Sequence, residues 1–239
     1  MRIPDSARPF LEGKKFSNGL IVDYDCKPGS VLDRQSYLIE KSRNRSVLHI
    51  GFADHLPLID QKIASRTWLH KELQAAASAC IGVDIDREAV QYCREKHGIE
   101  NVFAHDIIQD PPLSEITAHE WDVAVLGEIL EHIASPADFL SRLKLRYGSS
   151  IRKLIITVPN AWDVTNLRYV RLGKEYINSD HRYWFTPYTI AKIVCDAGLE
   201  VVDIAMARNS PVEDGFLHRL IRRRWPMVNE TIIVECRFT

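Results

Sequence analysis

The chain has 239 residues, of which 46% are hydrophobic and 26% charged, and its formal net charge is -1. This composition is typical of a globular protein with one sizeable core, and the charge excludes a global attraction for nucleic acid or anionic membranes. Five dispersed cysteines without a CxxC pair argue against a disulfide framework and favour a reducing cytoplasm. No secretion signal begins the sequence and no apolar run could span a bilayer, so we expect no membrane partner.

The predicted elements alternate between strands and helices. A helix over 33–43 leads into strands over 46–50, 80–85, 101–105, from 121, and over 153–160, with helical segments over 56–79, 87–97 and 136–147 between them. Asp86 and Gly98 are suitable caps for the helix over 87–97. The remaining chain predicts a helix over 187–197, a strand over 198–207, a short basic helix over 216–225 and a last strand over 231–238. The strands over 198–207 and 231–238 could pair antiparallel, which the sequence leaves open.

This alternation predicts an α/β fold with a doubly wound, mostly parallel sheet and right-handed crossovers. We expect an N-terminal segment or cap over 1–44 and one domain over 45–239, with a basic helical connector near 210–229. The sequence indicates no oligomeric state.

The stretch WDVAVLGEILEHI runs from an apolar strand directly into two carboxylates and a histidine. Glu128, Glu131 and His132 fall at i, i+3 and i+4, which would place them on one face of a helix or helical turn. The carboxyl ends of strands in an open α/β sheet are where ligands bind. We therefore expect the functional site here.

Two other strand ends carry residues suited to a nucleotide. Gly51 follows the strand over 46–50, where a backbone without a side chain can approach a ligand. Asp84 is suited to accept hydrogen bonds from ribose hydroxyls and Asp106 from an adenine amino group, although each acid alone is as often a helix cap or turn residue. Ala53 and His55 replace the further glycines of a dinucleotide-binding loop, which disfavours a nicotinamide-dependent oxidoreductase.

Together these segments resemble class I S-adenosylmethionine-dependent methyltransferases of the group with an ExxEH segment after strand four. The matching segments are SVLHIGFADH, GVDID, AHDI and LGEILEHIASPADFL, followed by LIITVPN. The resemblance implies a Rossmann-like sheet of seven strands with an antiparallel last strand, and S-adenosylmethionine (SAM) as cofactor. The cofactor-binding positions that it implies are His49, Gly51, Ala53, Asp84, Ile85, Asp106, Ile107, Gly127 and Glu128.

The chain departs from that family at two places. His49 stands where an acid usually lies near the methionine amino group, and Gly51 is the only glycine left of the usual set. Residues 57–68 are extra material between Gly51 and Asp84.

The resemblance also implies catalytic residues and a metal alternative. Metal-dependent relatives, the small-RNA 2′-O-methyltransferases and some ubiquinone-pathway O-methyltransferases, use the ExxEH helix, and DHRYWFT resembles the distant histidine segment of the RNA enzymes. His132 or His181 would assist in removing a proton from a hydroxyl acceptor. The metal ligands would be Glu128, Glu131, His132 and His181, but relatives without metal carry similar segments that only line the pocket.

We predict a SAM-dependent methyltransferase that acts on a small molecule, at oxygen. The alternatives are a catalytically degenerate cofactor-binding or interaction protein on the same fold, and an RNA 2′-O-methyltransferase, for which only the arginines at 219 and 222–224 give a hint. For these arginines a solvated helix face is the favoured interpretation. The aromatic residues 183–185 are more typical of core than of a stacking platform.

Overall fold

The computed structural model describes residues 3–29, 31–209 and 215–238. Within these residues eight strands form one sheet: β1 (Leu32–Asp33), β2 (Ser46–Ile50), β3 (Ala79–Asp84), β4 (Val102–Ala104), β5 (Val123–Gly127), β6 (Leu154–Pro159), β7 (Leu199–Arg208) and β8 (Thr231–Phe238). Their order is β1-β7-β8-β6-β5-β2-β3-β4. β8 is antiparallel to both of its neighbours, and every other pair is parallel. The predicted fold is confirmed, and the two-residue β1 adds an eighth strand at the edge.

The helices are α1 (Arg8–Leu11), α2 (Arg34–Ser42), α3 (Leu56–Ala64), α4 (Leu69–Ala76), α5 (Arg87–His97), α6 (Ser114–Thr117), α7 (Pro136–Tyr147), α8 (Val164–Arg171), α9 (Pro187–Asp196) and α10 (Phe216–Arg224). The predicted caps of α5 are confirmed, since Asp86 accepts a hydrogen bond from the Ala89 amide and Gly98 is left-handed. The helical segment predicted over 56–79 is two helices, α3 and α4. Part of the predicted connector, 210–214, lies outside the described residues, and the division at residue 44 stays a prediction.

Alternating side chains of the central strands fill both faces of the sheet, because successive residues of a strand point to opposite sides. Ala124, Leu126 and Ile156 pack toward α7 and α9, whereas Val123 and Val125 pack toward α2 and α4. All five side chains are buried. At these positions the core on both faces of the sheet is therefore apolar.

One predicted local structure is wrong. Glu128, Glu131 and His132 do not share a helical face, because the chain turns at Glu128, which adopts a left-handed conformation with φ of 57°. Glu131 and His132 then lie in a short 3-10 turn, Leu130–His132. The amide of Glu128 donates to the Thr157 carbonyl of the neighbouring strand, which extends sheet hydrogen bonding past the end of β5 and holds the turn in place.

A buried histidine pair joins β2 to the extra segment that follows it. His49 Nδ1 lies 3.2 Å from His70 Nδ1, and the two rings are stacked. His70 also packs against the rings of Phe52 and Trp68. Burial, the neighbouring His70 and Arg34 lower the pKa of His49 well below 6.5, and burial lowers the pKa of His70 to about 3. Both rings are therefore neutral at pH 7, so one Nδ1 can donate to the other.

This pair makes the fold sensitive to acid. The unfolded chain gains a proton on His70 below its ordinary pKa of 6.5, whereas the folded chain does not until about pH 3. The contribution of His70 to stability is therefore complete above pH 6.5 and falls by about 1.4 kcal/mol for each pH unit below it. Denaturant unfolding between pH 7 and pH 4 should show a shallower acid decline for His70→Leu than for the unmodified protein. His119→Gln, at an exposed histidine, is the control, and equal slopes for His70→Leu and the unmodified protein would contradict this assignment.

Candidate active site

A cavity of about 680 Å³ opens at the carboxyl ends of β2, β3 and β5. It lies where the strand order reverses between β2 and β5, the usual ligand position in doubly wound sheets. Of the residues predicted from the sequence, those that line it are His49, Gly51, Ala53, Asp84, Gly127, Glu128, Glu131, His132 and His181. Ile85, Asp106 and Ile107 do not line this cavity.

Gly51 shapes the first edge of the cavity. Its φ is +69°, and a Cβ at this position would lie 2.8 Å from Cγ1 of Ile129, closer than real Cβ contacts. The Gly51 amide donates to the Val83 carbonyl of β3, so the turn is fixed as well as narrow. A side chain here would strain the backbone and collide with the opposite wall, which explains the glycine at this one position of an otherwise glycine-poor loop.

Asp84 lies between this turn and the start of α5. Its Oδ2 accepts a hydrogen bond of 3.0 Å from the Ala53 amide, and its Oδ1 accepts one of 3.0 Å from the Asp86 amide. Burial raises the pKa of Asp84, an effect that these two backbone amides partly offset. A carboxylate oxygen can accept more than one hydrogen bond, so both oxygens keep acceptor capacity toward the cavity.

The three predicted residues outside the cavity have other contacts. Asp106 Oδ1 accepts hydrogen bonds of 2.9 Å from the amides of Ile108 and Gln109, so its carboxylate caps a turn. Ile107 is buried in the core, whereas Ile85 is 72% exposed. The capping role of Asp106 is one that the sequence left open, and it does not use all of the carboxylate's lone pairs.

Arg34 is a site residue that the sequence did not reveal. It is the first residue of α2, and its Nε donates to Thr157 Oγ1 at 2.9 Å and lies 3.6 Å from Glu128 Oε1. Its guanidinium also packs against Gly127, where a Cβ would lie 2.6 Å from an Arg34 nitrogen. The sequence does show that a helix begins here, because Asp33 is a suitable cap for α2. It does not show that Arg34, the next residue, contacts strands more than 90 positions later.

The far wall of the cavity carries three potential ligand groups. Atoms of Glu131, His132 and His181 all lie within 4.8 Å of one another. The Glu131 side chain is fully buried, and neither carboxylate oxygen has a hydrogen-bond partner among the described residues. Burial, and secondarily the nearby Glu128 charge, raise the pKa of Glu131 to about 9. Without a cation beside it, Glu131 therefore carries a proton at pH 7.

The two histidines of this wall meet edge to face, with ring centroids 4.8 Å apart. His132 Nδ1 lies 3.3 Å from the Asp180 carbonyl oxygen. A carbonyl can only accept, so this contact places the proton on Nδ1 and leaves the Nε2 lone pair of His132 available. Burial and the neighbouring His132 lower the pKa of His181, and its Nδ1 is buried without a partner among the described residues.

The segment that carries His181 is fastened to the turn after β5. The Arg182 amide donates to the Glu131 carbonyl at 2.8 Å, and the Tyr183 hydroxyl donates to the Ala134 carbonyl at 2.7 Å. Phe185 is buried in the core, as expected for this aromatic run, whereas Tyr183 is partly exposed. These contacts bring His181 to His132 across almost 50 residues of sequence.

Many solved structures share this fold, among them the three that follow. The magnesium protoporphyrin IX methyltransferase of Synechocystis PCC 6803, with bound SAH, is 16% identical with a TM-score of 0.53, and the match covers 86% of this chain and 80% of that one. A SAM dependent methyltransferase of Aquifex aeolicus is 14% identical with a TM-score of 0.50, covering 86% and 90%. The small RNA methyltransferase HEN1 is 19% identical with a TM-score of 0.53, covering 86% of this chain but 25% of that one.

No curated protein matches the sequence. None of the helices within the described residues has the length and apolar character needed to cross a membrane. The sequence profile of the methyltransferase domain family matches residues 3–204, most of the chain. The fold, the cavity at the reversal of strand order and this match agree, and the chain belongs to the methyltransferase domain family as a class I SAM-dependent methyltransferase.

Proposed function

We propose that this methyltransferase methylates a hydroxyl oxygen of a small molecule and belongs to the group with an ExxEH segment after strand four. The observation that carries the proposal is the meeting of Glu131, His132 and His181 on the wall of the cavity that also contains Asp84. A hydroxyl must lose its proton during methyl transfer, and an uncharged imidazole can accept it. We also propose a cytoplasmic location, because the five cysteines are dispersed in the sequence without a CxxC pair.

The cavity residues fit SAM, which supplies an electrophilic methyl group when bound. Asp84 accepts hydrogen bonds from the ribose hydroxyls, and the narrow turn at Gly51 and Ala53 lets the backbone approach the cofactor. Gly127 and Glu128 border the same space, and Ile85, Asp106 and Ile107 are proposed to hold the adenine beyond it.

The cavity wall proposed to face the amino-acid end of the cofactor carries His49 in place of the usual acid. His49 is neutral and buried, so it cannot attract the methionine ammonium as an acid would. Arg34 places a guanidinium at this end, and guanidinium groups pair well with carboxylates. We therefore assign the cofactor carboxylate to Arg34.

His132 and His181 perform the proton transfer in this proposal. The lowered pKa of His181 keeps its ring neutral at pH 7, and the Nδ1–H of His132 is held by the Asp180 carbonyl, which leaves its Nε2 as an acceptor. Orientation of the hydroxyl toward the methyl group supplies most of the acceleration, since methyl transfer is an in-line displacement.

The same residues fit a divalent cation. Both Glu131 oxygens and His181 Nδ1 are buried without a partner among the described residues, and a carboxylate with two imidazoles suits Mn, Fe, Co or Zn better than Mg. Glu131, His132 and His181 would hold the ion, and Glu128, 3.6 Å from Arg34, would be the fourth ligand. Such an ion would displace the Glu131 proton and lower the pKa of an acceptor hydroxyl.

The same three groups support a second candidate function, 2′-O-methylation of RNA. The HEN1 structure that shares this fold is a small RNA methyltransferase, although this chain matches only a quarter of it. S-adenosylhomocysteine formation with a panel of phenols and with short RNAs separates the two functions. Turnover with RNA alone would replace the small-molecule proposal, and no cofactor binding would favour a degenerate interaction protein.

Removing the Asp84 charge should weaken cofactor binding. Asp84→Asn loses charge-assisted hydrogen bonds to the ribose, each worth about 1.5–3 kcal/mol, so we expect SAM affinity to fall by about tenfold or more in calorimetric titration. Asp138→Asn, at an exposed acid on α7, is the matched control and should bind normally. Unchanged affinity in Asp84→Asn with an unaltered melting temperature would refute the assigned cofactor position.

Glu131→Gln distinguishes a metal site from a metal-free base. A protonated Glu131 resembles the amide in shape and charge, so the variant should keep both SAM binding and turnover if no metal takes part. If a metal takes part, Glu131→Gln and His181→Asn should each lower Mn affinity of metal-stripped protein by about tenfold or more, as losing a ligand does. His119→Asn is the control, and the readouts are Mn titration calorimetry and turnover with added Mn.

A further inference from the structure

Helices α8 and α10 present apolar side chains to solvent. α8 contains no buried residue. Val170 is 67% exposed on α8, and Phe216 and Leu217 are 72% and 66% exposed on α10. The two helices lie side by side, so these side chains form one surface. We call it the docking face, and its members are Leu167, Val170, Leu172, Phe216, Leu217, Leu220 and Trp225 with the arginines around them.

The α10 helix is oriented with one arginine, Arg222, inward. Arg222 is fully buried, 3.0 Å from Asp163 Oδ1 at the start of α8 and 2.9 Å from Glu230 Oε1. At about 100° per residue, Leu220 lies roughly 160° around the helix from Arg222, and Leu217 roughly 140°. The ion pairs therefore hold the apolar side of α10 pointing away from the protein, opposite to an ordinary surface helix.

The docking face is also positively charged. Arg168 and Arg171 are exposed on α8, and Arg219, Arg223 and Arg224 on α10. None of these five forms an ion pair with another side chain within the described ranges. An ordinary solvated face would pair arginines with polar or acidic neighbours, but here they surround large apolar side chains. The favoured sequence interpretation, a solvated basic helix, does not account for those apolar side chains.

The docking face adjoins the cavity. Residues 172–177 join α8 to Asn178, which lines the cavity, and the exposed Leu172 and Tyr176 extend the apolar surface along this segment. Asn209 lines the cavity after β7, and its amide donates to Glu230, the ion-pair partner of Arg222 on α10. A surface bound to these helices would lie beside the cavity.

We infer that the docking face binds an anionic lipid surface. Phe216, Leu217, Leu220 and Trp225 enter the boundary between headgroups and acyl chains, and the arginines pair with lipid phosphates, as in amphipathic helices that lie in a membrane plane. Docking of this kind needs no membrane-spanning helix and no net positive charge of the whole chain. It goes beyond the proposed function and does not depend on the methyl acceptor.

Charge argues against the other occupants of this face. A two-fold contact between copies of the chain would bring the same arginines of both copies together, which costs free energy. RNA phosphates would satisfy the arginines but leave Phe216 and Leu217 against charged groups or water. An anionic bilayer satisfies both kinds of side chain.

Vesicle co-sedimentation of the full chain tests this inference. We expect binding to vesicles of phosphatidylcholine with phosphatidylglycerol, weaker binding to phosphatidylcholine alone, and weakening by salt. Leu217→Ser with Leu220→Ser should lower binding by about tenfold or more, and Arg223→Gln with Arg224→Gln should remove the preference for phosphatidylglycerol. Leu145→Ser, at an 86% exposed leucine on α7, is the matched control.

Calorimetric titration of each variant with SAM reports whether the fold and cofactor site remain, so loss of docking and loss of the proposed function are distinguishable. Absence of binding to anionic vesicles, or equal binding by the Leu217→Ser, Leu220→Ser protein, would overturn the inference. If the protein does not bind vesicles, two results would identify another occupant of the docking face. One is a dimer in sedimentation equilibrium that the Leu217→Ser, Leu220→Ser variant abolishes, and the other is binding of RNA.

Discussion

The parallel pairing of β2 with β5 is the constraint on which the candidate site depends. Ile50 is opposite Leu126 in this register, so the chain leaves both strands at the same level. The turn at Gly51 and the left-handed Glu128 both follow these strand ends and line the cavity. The strand order reverses at this pair, and the cavity forms there, with residues of α2, α3 and α4 in its wall.

The two carboxylates at that opening, Glu128 and Glu131, have different electrostatic surroundings. Glu128 lies beside Arg34 and keeps its charge partner, whereas Glu131 is buried without one and binds a proton. Burial, and secondarily the charge of Glu128, favour the protonated form of Glu131. Arg34 thus makes two carboxylates in one turn of the chain differ: Glu128, beside it, suits the cofactor side of the cavity, and Glu131 suits the acceptor side.

The segment between β2 and β3, which comprises the extra residues 57–68 and α4, compensates for the histidine in β2. His49 would be a buried polar group without a partner if α4 did not bring His70 to it. Gly82 makes this contact possible, because a Cβ there would lie 2.8 Å from His70 Cε1. The same insertion supplies Leu58 and Lys62 to the cavity wall, so stability of the strand and shape of the site depend on one segment.

The sequence by itself determined the fold, because apolar runs with cap and turn residues between them set each strand and helix locally. Nine of the twelve site residues that it predicted line the cavity, since strand ends are readable and ligands bind there. It could not place Arg34 or the His49–His70 contact, because these join positions distant in sequence and are fixed only by packing, and it brought His132 and His181 together only through the family resemblance. It could not show that α10 turns its apolar side outward either, because helical periodicity gives the width of an apolar face but not its direction. That direction was decided by the tertiary ion pairs of Arg222.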